Sequence, residues 1–158
     1  NYSESLLRDR IFEQARGFME MTNPDEVDQK VQREVIIGPG FKLDLLLDGV
    51  PQEVKCKSDD PSKTVGQILS YLPYLVDKGD KFIKDGKIKF VLVIGEKPSD
   101  SMKSHIKKIN DSYKIGDVAI EIHLKDATLK NKSLIEAPLS RREKNKQKTS
   151  FKEGKWGR

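Results

Sequence analysis

The stretch 41–57, FKLDLLLDGVPQEVKCK, constrains this chain more than any other. Two apolar runs flank Asp48-Gly49. An Asp-Gly pair in that setting signals a two-residue hairpin, because the primed turns need positive φ. Such a turn makes residues 47 and 50 partners, so Asp44 falls opposite Glu53 and Lys42 opposite Lys55. Side chains alternate across a strand. The pattern therefore predicts Lys42, Asp44, Glu53 and Lys55 on one face, and Phe41, Leu43, Leu45, Val54 and Cys56 on the core face. Two carboxylates directly opposite each other repel, with Cβ atoms roughly 4.5–5.5 Å apart. A divalent cation held between hard oxygen ligands, with a lysine nearby, is one use for such a pair. A solvated polar face that protects a sheet edge is the other.

The chain of 158 residues is long enough for one domain with a sizeable core. It opens on Asn1 rather than Met, which reads as a processed chain or an excised piece of a longer one. A single cysteine excludes an internal disulfide and points to a reducing compartment. With no signal-peptide pattern and no long apolar run, the expectation is a cytoplasmic protein. Eight of the 30 Lys and Arg lie in 141–158 against two of the 25 acids, leaving the first 140 residues with 22 basic and 23 acidic groups. The expected organisation is a domain over 1–140 and a basic, flexible tail over 141–158. Phe151 and Trp156 could stack on bases there, and a disordered terminus or a linker to a missing domain fits equally well.

In order, 3–20 reads as a helix capped by Ser3 or Ser5, with Leu7, Ile11, Ala15 and Phe18 at helical spacing. Asn23-Pro24-Asp25-Glu26 starts a second, short helix in the manner of a capping box. Glu34 to Gly38 reads as a first strand, and the hairpin strands follow. A helix over 62–78 carries Val65, Ile68, Leu69, Leu72 and Val76 on one face, with a kink expected at Pro73. Gln67 and Tyr71, four apart, share a side of it. Ile88 to Ile94 is nearly continuous in apolar character, as in a central strand covered on both faces. A helix over 99–112 and a strand around Val118, Ile120 and Ile122 complete the domain.

The order hairpin with Asp44 and Glu53-Val54-Lys55, helix with Gln67-x-x-x-Tyr71, then buried strand resembles the PD-(D/E)xK nuclease superfamily. The trailing pair is similar to the QxxxY element of the RecB-like nucleases and of type I restriction subunit nuclease domains. The resemblance covers about residues 24–95. It implies an α/β fold with a restriction-endonuclease-like αβββαβ core, a mixed central sheet flanked by helices. Leu43 stands where the family name places Pro. The family often adds a helical acid ahead of the first strand. Glu26 is the choice here, with Glu20 and Glu13 as alternatives and Glu34 as a residue that simply begins a strand.

The roles implied by the resemblance place Mg²⁺ or Mn²⁺ on Asp44 and Glu53, with the Val54 carbonyl as a third oxygen. Lys55 would orient the attacking water, and Gln67 and Tyr71 would position the lysine, a phosphate or the outer shell of the metal. Lys42 and Lys57 are candidate contacts to the nucleic-acid backbone. His105 and His123, far apart and without clustered cysteines, do not suggest zinc. Cys56 reads as a core residue, and no phosphate-binding glycine loop appears.

The expected activity is metal-dependent hydrolysis of DNA in a restriction, repair or anti-phage system, alongside a motor or specificity subunit, a missing domain or a second copy of the chain. A non-catalytic module binding nucleic acid or a subunit, and an RNA endonuclease, are the alternatives.

Overall fold

A computed structural model describes residues 3–57 and 60–128. These form an α/β unit around a mixed seven-stranded sheet. The elements are α1 (Glu4–Thr22), a 3₁₀ turn (Pro24–Glu26), α2 (Val27–Lys30), β1 (Val31–Gly38), β2 (Phe41–Leu47), β3 (Val50–Lys55), α3 (Pro61–Val76), β4 (Ile83–Lys84), β5 (Lys87–Ile94), α4 (Asp100–Ser112), β6 (Lys114–Ile115) and β7 (Val118–Asp126). The strand order is β1-β2-β3-β5-β7-β6, with β4 paired to β5. β3, β5 and β7 run parallel, and the remaining pairs are antiparallel.

The two crossovers, β3-α3-β5 and β5-α4-β7, step the same way along the sheet. Crossovers of one hand then place both helices on the same face. Val65, Ile68, Leu72 and Leu75 of α3 and Met102 and Ile106 of α4 bury there against Leu43, Ile88, Phe90, Leu92, Ile94, Ile120 and Ile122. α1 covers the other face through Leu7, Ile11, Ala15 and Met19, packed on Val31, Leu45, Leu47, Val54, Val91 and Val93. β5 lies in the middle with apolar side chains in both layers, which is why its sequence does not alternate.

Helix starts follow their caps. Ser3 accepts from the Leu6 N–H, Asp60 from Lys63 and Ser99 from Met102. At Pro24 the expected capping box does not form. Asn23 makes no side-chain cap, and Glu26 pairs with Lys30 at 2.8 Å instead. The second helix shrinks to a 3₁₀ turn and a single α turn, so β1 begins at Val31 and Glu34 lies inside the strand rather than at its start. α3 runs unbroken through Pro73.

The Asp48-Gly49 turn has φ of +50° and +82°, as a type I′ turn requires. Leu47 pairs with Val50, Leu46 with Pro51 and Leu45 with Gln52, the expected register. The ladder stops there. Neither the Asp44/Glu53 pair nor the Lys42/Lys55 pair is part of it. Asp85-Gly86 repeats the same turn chemistry, with φ of +53° and +76°, and joins the short β4 to β5.

The one-face expectation for the hairpin fails at Asp44. Leu45 and Leu47 pack under α1, whereas Leu43 packs under α3. β1 switches in step. Val31 lies on the α1 side, and Val35 and Ile37 lie on the α3 side. The switch sits at Glu34, whose φ is +53°. Arg33 pairs with Leu45 and Val35 with Leu43, but the Glu34/Asp44 pair between them drops out of the ladder. A left-handed residue costs a non-glycine roughly 1–2 kcal/mol, and here it rotates both strands by one face.

Candidate metal centre

Asp44 stands at the switch, between a neighbour facing α3 and a neighbour facing α1, so its carboxylate is directed along the sheet toward β3. There Oδ2 accepts the Val54 N–H at 2.8 Å, in place of the ladder partner that the diverging strands withdraw. Glu53 faces α3 and is 2% exposed. Each carboxyl group perturbs the proton affinity of the other, so the two are near neighbours. They are neighbours through the Asp44 bridge to the Val54 backbone, not as the directly opposed cross-strand pair that the hairpin register predicts.

The remaining groups converge on Glu53. The Tyr71 hydroxyl, on α3, is 3.2 Å from Glu53 Oε1 and 3.4 Å from the Lys42 carbonyl oxygen, and it accepts from Gln67 Nε2 at 3.4 Å. Lys55 Nζ is 3.7 Å from Glu53 Oε2. Tyr71 is held by a ladder of rings. It meets Phe41 edge-on at 6.0 Å and stacks on Phe90 at 6.0 Å. Phe41 in turn lies 4.5 Å from Tyr74. Gly38 makes room for that last ring, because a Cβ there would sit 2.4 Å from Tyr74 Cδ1.

Burial, followed by the charge of Asp44, pushes the Glu53 carboxyl up to about 8, and Lys55 offsets only part of this. Burial also raises Asp44, against the lowering effect of the Val54 N–H and the Glu53 hydrogen bond. Desolvation and the two carboxylates raise the Tyr71 phenol, which stays protonated. Burial and mutual repulsion therefore favour retention of a proton by this pair of acids.

The donor set fits a hard divalent ion. Within a strand the N–H and C=O of one residue point to the same edge. Since the Val54 N–H meets Asp44, its carbonyl also points toward β2. Two carboxylates and one carbonyl suit Mg²⁺ or Mn²⁺, which keep several waters and take phosphate oxygens as further ligands. Among the described residues no three or more His, Cys, Asp or Glu side chains are grouped so that they could hold a metal ion.

Glu26 is not brought to this cluster. It sits at the opposite end of β2, where Lys30 bridges it to Asp48 at 2.8 and 3.6 Å. Glu20 pairs with Arg16 at 3.6 Å, and the charge of Glu13 also reaches Arg16. Lys42 lies on the α1 side and not beside Lys55, and Lys57 is exposed just beyond β3. Cys56 is partly buried rather than in the core. Phe151, Trp156 and the rest of the basic tail fall outside the described residues.

Two neighbours of the site, Arg8 and Glu34, were not singled out by the sequence pattern. Arg8 borders the apolar stripe of α1 and its charge acts on Asp44. Glu34 was legible only as a strand residue until β1 is laid against β2. Among the described residues no helix is long and apolar enough to cross a membrane. No protein-family model, curated protein or solved structure matches the chain.

Proposed function

We propose that this chain is a metal-dependent nuclease that hydrolyses DNA phosphodiester bonds, with a restriction-endonuclease-like core. The observation that carries the reading is the pairing of buried Glu53 with half-buried Asp44, with Lys55 at 3.7 Å from Glu53 and the Val54 backbone turned to the same edge. Two acids this close, in surroundings that disfavour their charge, are tolerable in ionised form when a cation offsets them.

Asp44, Glu53 and the Val54 carbonyl would hold Mg²⁺ or Mn²⁺, which supplies Lewis-acid activation of water and phosphate oxygens near neutral pH. In hydrolysis a water oxygen bonds to phosphorus as the ester bond breaks, and negative charge grows on the phosphate oxygens. The Lys55 ammonium meets that charge and orients the water. Tyr71 fixes the Glu53 rotamer through its hydroxyl, and Gln67 fixes that hydroxyl. DNA is preferred to RNA because the sequence carries no RNA-recognition signature and no His ahead of Asp44 of the kind seen in viral cap-snatching nucleases. A restriction, repair or anti-phage setting, with a motor or specificity subunit as partner, follows from the PD-(D/E)xK resemblance.

A second reading has its own observation. Asp44 already accepts a main-chain N–H at 2.8 Å, which is a structural use for a half-buried carboxylate. A non-catalytic binding module would need no more than this. Plasmid cleavage in Mg²⁺ or Mn²⁺ separates the two. The nuclease reading expects cutting that disappears in Asp44→Ala and Lys55→Ala. Undiminished cutting by either variant removes the assigned site, and no cutting by the parent chain leaves the binding module.

A further inference from the structure

Beside the acid pair, on the α1 side of the sheet, two cations converge on one oxygen atom. Lys42 Nζ lies 3.0 Å from Glu34 Oε1, and Arg8 Nη1 lies 3.6 Å from the same atom. Asp9 braces the arrangement from behind, with Arg8 Nε at 3.0 Å and Arg33 Nη1 at 2.9 Å. Arg33 in turn lies over the Phe12 ring at 4.4 Å. Glu34 reaches this point because its backbone is left-handed, directly across from Asp44. The Glu34 and Lys42 side chains are about half exposed, so the shared oxygen is open to exchange with solvent, whereas Arg8 is largely buried and pre-positioned.

We infer that Arg8 and Lys42 form a phosphate-binding pair, and that Glu34 is a stand-in anion that gives way to a backbone phosphodiester of the nucleic acid. The inference rests on the nuclease reading for its ligand. The geometry supports it independently in three ways. A guanidinium and an ammonium aimed at one anionic oxygen is the arrangement that takes phosphate. A carboxylate oxygen and a phosphodiester oxygen accept from the same donors at the same distances. Asp44 is the neighbour of Glu34 across the strands and feels the charge of Arg8, so a phosphate here lies on the α1 side of Asp44, across the sheet from Glu53. Arg8 and Lys42 are therefore positioning residues for the substrate chain, and Glu34 sets how tightly they hold it.

The test is the sign of the Glu34 effect. A structural ion pair predicts that Glu34→Gln weakens the fold and does nothing for DNA. A stand-in anion predicts tighter DNA binding. Affinity for a fluorescein-labelled duplex of about 20 base pairs is measured by anisotropy in EDTA, over a salt series. Glu34→Gln is expected to bind about 3- to 10-fold more tightly than the parent, since a competing charge is gone from the contact. Asp111→Asn, which removes the same charge on α4, is expected to change affinity less than about twofold. Lys42→Gln and Arg8→Gln are each expected to weaken binding and to reduce the salt slope by about one unit. Lys42 is exposed enough that its variant tests the idea should Arg8→Gln fail to fold. The gain from Glu34→Gln should vanish in the Glu34→Gln, Lys42→Gln double variant.

No gain over Asp111→Asn, or a gain that survives in the double variant, overturns the inference. Cleavage by the parent chain in Mn²⁺ is scored separately. Cleavage without the Glu34 gain sinks this inference alone, and the gain without cleavage supports the anion site while sinking the nuclease reading.

Discussion

Replacing Glu53 by Gln should remove a pH dependence of stability that the metal-free protein otherwise shows. The carboxyl is raised from 4.5 to about 8, first by burial and then by Asp44. A raised acid binds its proton more tightly folded than unfolded. Its contribution is complete below about pH 4.5 and is lost as pH rises through about 8. At roughly 1.4 kcal/mol per pH unit, that interval corresponds to a ceiling of about 5 kcal/mol. In a domain of this size, 1 kcal/mol moves Tm by about 2–4 °C, so the loss for the metal-free chain between pH 4.5 and 8 is bounded at roughly 10–20 °C. Glutamine keeps the shape and can still accept from Tyr71 and donate to Asp44, but it does not titrate. The assay is urea or thermal unfolding in EDTA at half-unit pH steps, parent against variant, so that the two histidines and the surface acids cancel. The expected result is a steep decline in the parent, a much flatter profile in Glu53→Gln, and a variant more stable than the parent at pH 8. Parallel profiles would refute the reasoning, because they would mean that Glu53 is solvated or already neutralised.

Saturating Mn²⁺ should raise the Tm of the parent, by an amount equivalent to about 2.7 kcal/mol at a hundred times Kd, and should do nothing for Asp44→Asn in the same calorimeter. Tyr71→Phe takes the hydroxyl from buried Glu53 and should cost about 1–3 kcal/mol in denaturant unfolding, with a larger loss of cleavage than of DNA affinity. Gly38→Ala should cost about 1–3 kcal/mol, because its methyl would sit 2.4 Å from the Tyr74 ring, and the companion Tyr74→Leu should recover part of the loss.

Much of the fold was legible because local signals and tertiary structure agree. Asp48-Gly49 forms the turn its residues demand, and the register it sets holds as far as Leu45 and Gln52. The unbroken apolar run of β5 is buried from both sides, as an inner parallel strand must be. Spacing on α3 places Gln67 and Tyr71 together and Tyr71 on Glu53. The short strands β4 and β6 escaped because two-residue strands carry no periodicity, although Asp85-Gly86 was a readable turn. Glu26 misled because its helix-start pattern is local, while the partner it finds, Lys30, is one turn away on the same chain segment. The choice of an acid ahead of the first strand depends on which residue is carried to Asp44, and only strand pairing decides that.

The departure at Glu34 explains why the hairpin could not be read as one flat ribbon. A strictly alternating β2 would pack Phe41, Leu43 and Leu45 on one face and leave Asp44 on the other, paired squarely against Glu53 within a full ladder. The Val54 N–H and C=O would then be spent on β2 backbone, and only side chains would be available at the site. With Glu34 left-handed, Phe41 and Leu43 turn to α3, where Phe41 buttresses Tyr71, while Lys42 turns to α1, where it shares the Glu34 carboxylate with Arg8. Asp44 is left in the plane of the sheet, and the strands part beyond Leu45 and Gln52. One unfavourable φ thus sets the tyrosine brace, the open edge of Val54 and the paired cations at once. A local rule is thus broken where several polar groups converge, which is the kind of strain that the proposed site would use.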